Sequence, residues 1–236
     1  MVRRGSVLSL AVMSAAALLV AGCGGGPEPR AVPSSGAVYR GVEPEPVGKR
    51  PSFVLRDTAG NRYDFLAQTR GRPTYVYFGY TNCPDECPTA LADIAAALRR
   101  TGKDLRDKVR VVFVTTDPKR DTAPVIRRFL DQFSTTFVGL LGTEAEVRAA
   151  QQAVGIAPAE TEGPIPVISG QPNAHPHKSG TAPHQHFGPL GYGVAHANVI
   201  FAYDVSDRLP VVYPGGVVPS DIAADLPVLA RQEERP

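Results

Sequence analysis

Apolar residues are grouped in short dense runs separated by turn-forming sequence, which points to strands alternating with helices. Phe53, Leu55, Tyr63 and Phe65 alternate with polar residues around DTAGN, the pattern of a short hairpin. The run TYVYFGY (residues 74–80) is unbroken, as in a strand covered on both faces. A helix is predicted after Pro88, with Leu91, Ile94 and Leu98 on one face and Gly102 ending it. VRVVFVTTD (109–117) predicts a second buried strand. DTAPVIRRFLDQF predicts a helix capped by Asp121 or Thr122, with Pro124 in its first turn. FVGLLG (137–142) and TEAEVRAAQQAVG, capped by Thr143, repeat the alternation, so the centre is an α/β sheet with parallel strands.

Residues 155–193 break the pattern. They are polar, rich in Pro and Gly, and hold four of the five histidines, and a loop of that length in a compact domain is functional or disordered. ANVIFAYD (197–204) and RLPVVYP (208–214) then predict a terminal hairpin, and PSDIAADLPVLARQ a last helix interrupted or ended near Pro227. No internal repeat or second domain is visible.

The N-terminus reads as an address. Arg3 and Arg4 precede an apolar stretch of fourteen residues, 7–20. At about 1.5 Å per residue it spans about 21 Å, short of the ~30 Å of a bilayer core, so residues 1–22 are read as a secretory signal peptide. The stretch ends in VAGC, which resembles a bacterial lipobox and would leave Cys23 lipidated at the new N-terminus; an ordinary signal peptide with an incidental cysteine is the alternative. The lipid would anchor the protein at the extracytoplasmic face of the bacterial plasma membrane. Eleven of residues 24–48 are Gly or Pro, so 23–49 read as a lipidated tether and 50–236 as one folded domain.

Composition changes this picture little. The 236 residues are 43% hydrophobic, enough for one core, and the 25 basic residues against 23 acidic form no run longer than a pair. Nucleic-acid binding, which needs clustered cations, is therefore not expected. Removing residues 1–22 leaves 23 basic against 23 acidic residues, so charge has no evident part in membrane attachment. GPLGYG (188–193) follows no strand and fails the dinucleotide fingerprint, and nothing around Cys83 matches what peroxide activation needs.

The chemistry centres on Cys83 and Cys87 in YTNCPDECPTAL, directly after the first buried strand. Pro84 and Pro88 disfavour helical backbone at both cysteines, placing them on a turn with Cys87 at or near the N-cap and Pro88 at the first helical position. Unpaired N–H groups and the positive end of the helix there favour thiolate over thiol. Such a pair can form a disulfide, exchange with one, or hold a soft metal, and spacing alone does not decide. A plain structural disulfide would close only a small loop and restrict the unfolded chain little. His196, at the start of the ANVIFAYD strand, would complete a two-sulfur, one-imidazole set suited to Cu(I) and, with an added ligand, Cu(II); zinc accepts the same groups but prefers four in structural sites.

FGYTNCPDECP, VTTDPKRDTAPVIRRFL, FVGLLGTEAEV and His196 before its strand, in this order from about residue 51 to 229, resemble the Sco/SenC family of copper-binding, thioredoxin-like proteins that serve cytochrome c oxidase assembly. The resemblance implies a thioredoxin-like α/β fold, a central mixed sheet flanked by helices, here with an N-terminal hairpin and a long His-rich insertion. It also implies one copper ion on Cys83, Cys87 and His196, with the cysteines able to cycle as a dithiol–disulfide pair. Implied partners are the copper-binding subunit of cytochrome c oxidase, and other copper chaperones or thiol reductants. The function implied is a copper chaperone; the alternative is a thiol-disulfide oxidoreductase, in which Cys83 attacks and Cys87 resolves. Asp85 and Asp117 match acidic positions of the family motifs, with helix-start charge and turn formation as their simpler roles. The family usually has Asp before the ligand histidine, whereas here Ala195 stands there. His175, His177, His184 and His186 form an additional candidate metal-gathering group, which could also supply a ligand in place of His196.

Overall fold

A computed structural model describes residues 38–161 and 192–231. In chain order the elements are β1 (Gly48–Lys49), β2 (Val54–Asp57), β3 (Arg62–Asp64), α1 (Phe65–Thr69), β4 (Thr74–Gly79), α2 (Glu86–Arg100) and α3 (Lys103–Arg106). These are followed by β5 (Arg110–Thr115), α4 (Ala123–Asp131), β6 (Val138–Leu141), α5 (Glu144–Ala153), β7 (Glu160–Thr161) and β8 (Val194–Ala195). The chain continues with β9 (Val199–Tyr203), β10 (Arg208–Leu209), β11 (Val211–Pro214) and α6 (Pro219–Leu229).

Seven strands form one mixed sheet in the order β11-β9-β4-β5-β6-β2-β3. β4, β5 and β6 run parallel, joined by helical crossovers, and the outer strands pair antiparallel. The period of two along each central strand sends alternate side chains to opposite faces. Tyr75, Tyr77, Val111, Phe113, Ile200 and Ala202 pack with residues of α2, α4 and α6. Val76, Phe78, Val112, Val114 and Phe201 pack with residues of α1 and α5. All six residues of β4 are buried, which is why this run lacks the polar alternation of an edge strand.

The expected hairpin forms, and Thr143 caps α5 in a reciprocal box with Glu146. Three expectations change. Thr122 is the N-cap of α4 but makes no side-chain capping bond, and Asp121 is turned elsewhere. α6 continues through Pro227 to Leu229: Leu226 and Leu229 are fully buried, and the Val205 N–H binds the Leu229 carbonyl, so packing outweighs the interruption. The tether assignment of 23–49 fails for its last part. Val42 bridges Val212, Tyr39 is buried, the Arg40 and Gly41 amides donate to Asp225, and β1 pairs with β10. The buried Asp225 carboxylate on α6 and the pairing with β10 and Val212 hold this strap despite its Gly and Pro content. Arg50, expected to begin the domain, is buried and donates to Asp207, Thr74 and the carbonyls of Arg72 and Asp204.

The topology brings the two halves of the candidate site together. Because β9 runs antiparallel to β4, with Tyr77 opposite Ile200, the start of β9 lies beside the end of β4. The chain entering β9 therefore faces the loop leaving β4. Short β7 and β8 pair, Glu160 opposite Ala195, so the two ends of the long insertion lie together at the same place.

Candidate metal centre

β4 ends at Gly79, and residues 80–85 carry the chain into α2. Gly79 is required by packing: a Cβ there would lie 2.7 Å from Cys87 Sγ and 2.8 Å from Tyr77 Cε1. α2 begins at Glu86, so Cys87 stands inside the first turn and Pro88 at the third helical position, two later than expected. Proline is tolerated there because the first four helical N–H groups have no partner within the helix. One of those orphan donors, the Cys87 N–H, points at Cys83 Sγ from 3.3 Å.

His196 follows β8 and is 109 positions from Cys87, yet its Nε2 is 3.6 Å from Cys87 Sγ. The ligand atoms of Cys83, Cys87 and His196 all lie within 4.8 Å of one another, and the three residues are buried. His196 Nδ1 is 3.2 Å from the Ala197 carbonyl. A carbonyl only accepts, so this contact places the proton on Nδ1 and leaves the Nε2 lone pair facing the sulfurs. A backbone carbonyl thus orients the ring, where the family's usual pattern would offer a carboxylate at position 195. The rings of Tyr77 and Tyr80 stand edge-on to the imidazole, at 6.2 and 5.7 Å between centroids.

The sulfurs are inequivalent. Cys83 is pulled down to about 4, first by a hydrogen bond from the Cys87 thiol and further by the Cys87 and Asp85 amides, against the opposing effect of burial. Cys87 is pushed well above the usual thiol range by complete burial and by the charge of Cys83. Both cysteines are free, so the pair is one thiolate and one thiol. Two sulfurs and an imidazole are a soft donor set. Among the described residues no fourth His, Cys, Asp or Glu joins the group, which fits Cu(I) better than a four-coordinate structural zinc.

Cys23, His175, His177, His184 and His186 lie outside the described residues. The Asp85 side chain makes no helix-capping bond. Asp117 is buried and accepts from Arg120 and from the Tyr192 hydroxyl. Tyr77, beside the sulfurs, and its partner Asn198 were missed in the sequence. The Tyr77 hydroxyl contacts Cys87 Sγ at 3.8 Å and donates to Asn198 Oδ1 at 3.0 Å. A tyrosine inside an otherwise apolar buried strand was the available signal, because its hydroxyl needs a partner.

The SCO1/SenC family model matches residues 43–230. The SCO2-like protein of Rickettsia felis is 34% identical over 111 residues, 47% of this chain and 53% of that protein. Protein sco1 of Schizosaccharomyces pombe is 36% identical over 100 residues, 41% of this chain and 36% of that protein. The chain spans about half the length of the curated relatives it matches. Bradyrhizobium japonicum ScoI with copper bound superposes with a TM-score of 0.58 at 28% identity, covering 77% of this chain and 99% of that one. Apo Sco1 from Thermus thermophilus superposes with a TM-score of 0.60 at 26% identity, covering 83% and 99%. The shared fold is the thioredoxin-like mixed sheet flanked by helices, as the sequence resemblance implied. With most of its length matched, the chain belongs to the SCO1/SenC family.

Proposed function

We propose that this protein is a copper carrier of the extracytoplasmic space, held to the membrane by lipid on Cys23, that delivers copper to the dinuclear copper centre of cytochrome c oxidase. The observation that carries the reading is the convergence of Cys83, Cys87 and His196 ligand atoms within 4.8 Å in a buried setting. Family membership and the copper-bound relative support it. Copper is the cargo. Cys83 meets it as a thiolate already formed, Cys87 joins by giving up its proton, and His196 offers Nε2. Delivery proceeds when thiolates of the recipient replace the two sulfurs one at a time, and oxidation of the pair to a disulfide withdraws both donors.

Titration of the reduced protein with Cu(I) against a competing chelator tests this, together with Cys83→Ser, Cys87→Ser and His196→Ala. One tight site is expected, lost with either cysteine and weakened with His196→Ala. No tight site in the wild-type protein would refute the carrier reading.

The asymmetry of the two sulfurs favours a second activity, reduction of the recipient's cysteines before metal insertion. Cys83 thiolate attacks the recipient disulfide, forming a mixed disulfide and releasing one thiolate. Cys87 then loses its proton and attacks Cys83 Sγ, releasing the second thiolate. Two electrons pass to the recipient, the Cys83–Cys87 disulfide remains, and a dithiol reductant restores the pair. Rapid reduction of a recipient disulfide by a protein that binds no Cu(I) tightly would make this the primary role.

A further inference from the structure

The loop between β5 and α4, TDPKRDT (residues 116–122), leaves its motif unexplained by turn formation or capping alone. Asp121 is buried and accepts from the Thr81 N–H at 3.0 Å, the Thr81 hydroxyl at 2.6 Å and the Thr115 hydroxyl at 2.6 Å. Thr81 lies two residues before Cys83. Four positions before the other ligand, Tyr192 is held at three points. Its hydroxyl donates to Asp117 at 2.9 Å, its carbonyl accepts from Arg120 at 3.1 Å, and the Arg120 guanidinium lies over its ring at 3.5 Å. Arg120 also pairs with buried Asp117, and its guanidinium is 5.6 Å from the ring of Tyr80, which is edge-on to His196. Removing a buried ion pair from water is unfavourable unless further partners offset it, and here the residue that leads into His196 supplies two of them, its carbonyl to Arg120 and its hydroxyl to Asp117.

We propose that this loop is a two-armed brace: Asp121 positions the cysteine loop, and the Asp117–Arg120 pair, by gripping Tyr192, positions the imidazole of His196 against the sulfurs. The four are positioning residues, acting through Thr81 and through the short segment 192–196. The proposal rests on the copper reading for its purpose but not for its geometry, since every contact of the brace is made between the protein's own groups.

The test uses Tyr192→Leu, which leaves the Asp117–Arg120 pair in place, Tyr192→Phe, which keeps the stack and the carbonyl bond, and Asp121→Asn. In metal-free protein, nuclear Overhauser contacts of the His196 ring with Tyr77 and Tyr80 are followed, with the amide shifts of Thr81 and Cys83. Tyr192→Leu is expected to abolish the ring contacts while leaving those amides unmoved. Tyr192→Phe should preserve the contacts, and Asp121→Asn should move the amides and spare the ring. Cu(I) affinity should fall about 10- to 100-fold in Tyr192→Leu, the usual effect of losing support behind a metal ligand, and be largely restored in Tyr192→Phe. Unchanged ring contacts and affinity in Tyr192→Leu would overturn the brace while leaving the carrier reading intact. If the wild-type protein binds no Cu(I) but the ring contacts respond as described, the brace stands and the carrier reading fails.

Discussion

The hydroxyl of Tyr77 stands 3.8 Å from Cys87 Sγ with a single proton to donate, which it shares between that sulfur and Asn198 Oδ1 at 3.0 Å. When Cys87 is a thiol, the amide oxygen is the better acceptor; once the proton leaves, the sulfur becomes a charged acceptor and the hydroxyl can serve it. Tyr77→Phe removes this help at the atom that must ionise when copper binds. A hydrogen bond of about 0.5–1.5 kcal/mol corresponds to a Cu(I) affinity about threefold to tenfold weaker at neutral pH. Competition titration of the variant measures it, and an unchanged affinity would show that the hydroxyl serves Asn198 alone.

The two thiols should also announce their inequality in proton counts. Cys83, held down to about 4 chiefly by the hydrogen bond from Cys87, is ionised throughout the neutral range, whereas buried Cys87 keeps its proton. Cu(I) binding at pH 7.5 is therefore expected to release close to one proton per ion in weakly buffered solution, where an unperturbed thiol pair would release nearly two. Alkylation of Cys83 in a Cys87→Ser variant provides a poor check, because Cys87 supplies the largest stabilisation. In the intact pair, alkylation at Cys83 should stay nearly flat from pH 8 to 5 and fall as pH drops through about 4. A rate that climbs through the ordinary thiol range instead would contradict the assignment.

Much of this site was legible because its chemistry is local in sequence. The apolar run 74–80, two prolines and two cysteines predict a turn between a buried strand and a helix, and the structure shifts the helix start only slightly. His196 could be offered as a candidate imidazole, but its convergence on the sulfurs depends on β9 pairing antiparallel with β4, a relationship no short window contains. Tyr192, Arg120 and Asp121 escaped for the same reason. Asp121 looks like a helix cap from its spacing, but two hydroxyls and an amide near the site outcompete the helix for its oxygens. The strap at 38–49 reads as linker by composition, and what holds it lies far along the chain: a carboxylate 185 positions from Arg40, and backbone pairing with β10 and Val212.

Gly79 tests how tightly the strand supports the sulfur. Its missing side chain admits Cys87 Sγ, and an added Cβ would also meet Phe113 Cε2 at 3.2 Å. The neighbours are core residues with no exposure, so none can yield cheaply. Gly79→Ala is expected to cost about 1–3 kcal/mol of stability, as overpacking does, and to weaken Cu(I) binding by displacing Cys87. Denaturant unfolding and copper titration together check it. Wild-type stability in the variant would mean the loop at residues 80–85 shifts freely, contrary to the close packing around Cys87.

Asp225 fastens the N-terminal strap to α6. Its carboxylate accepts from the Arg40 amide at 2.8 and 2.9 Å, the Gly41 amide at 3.1 Å and the Tyr213 hydroxyl at 2.9 Å. Burial nevertheless raises its pKa above the ordinary carboxylate value, outweighing the lowering effect of these donors, and Asp221 adds to the rise. A carboxyl whose pKa is raised on folding contributes stability that is full below the unfolded value and declines as pH climbs through the folded one. Asp225→Asn removes that titration and leaves an NH₂ group facing donors, at a cost of about 1–3 kcal/mol. The stability gap between wild type and variant should therefore be widest below about pH 4 and narrow as pH rises. Asp225→Ala should in addition free the strap, so that trypsin cuts after Arg40 much faster than in the wild-type protein, where that amide is bonded and Tyr39 is buried. Equal cleavage rates would show that the Val42–Val212 bridge and the packing of Tyr39 hold the strap without the carboxylate.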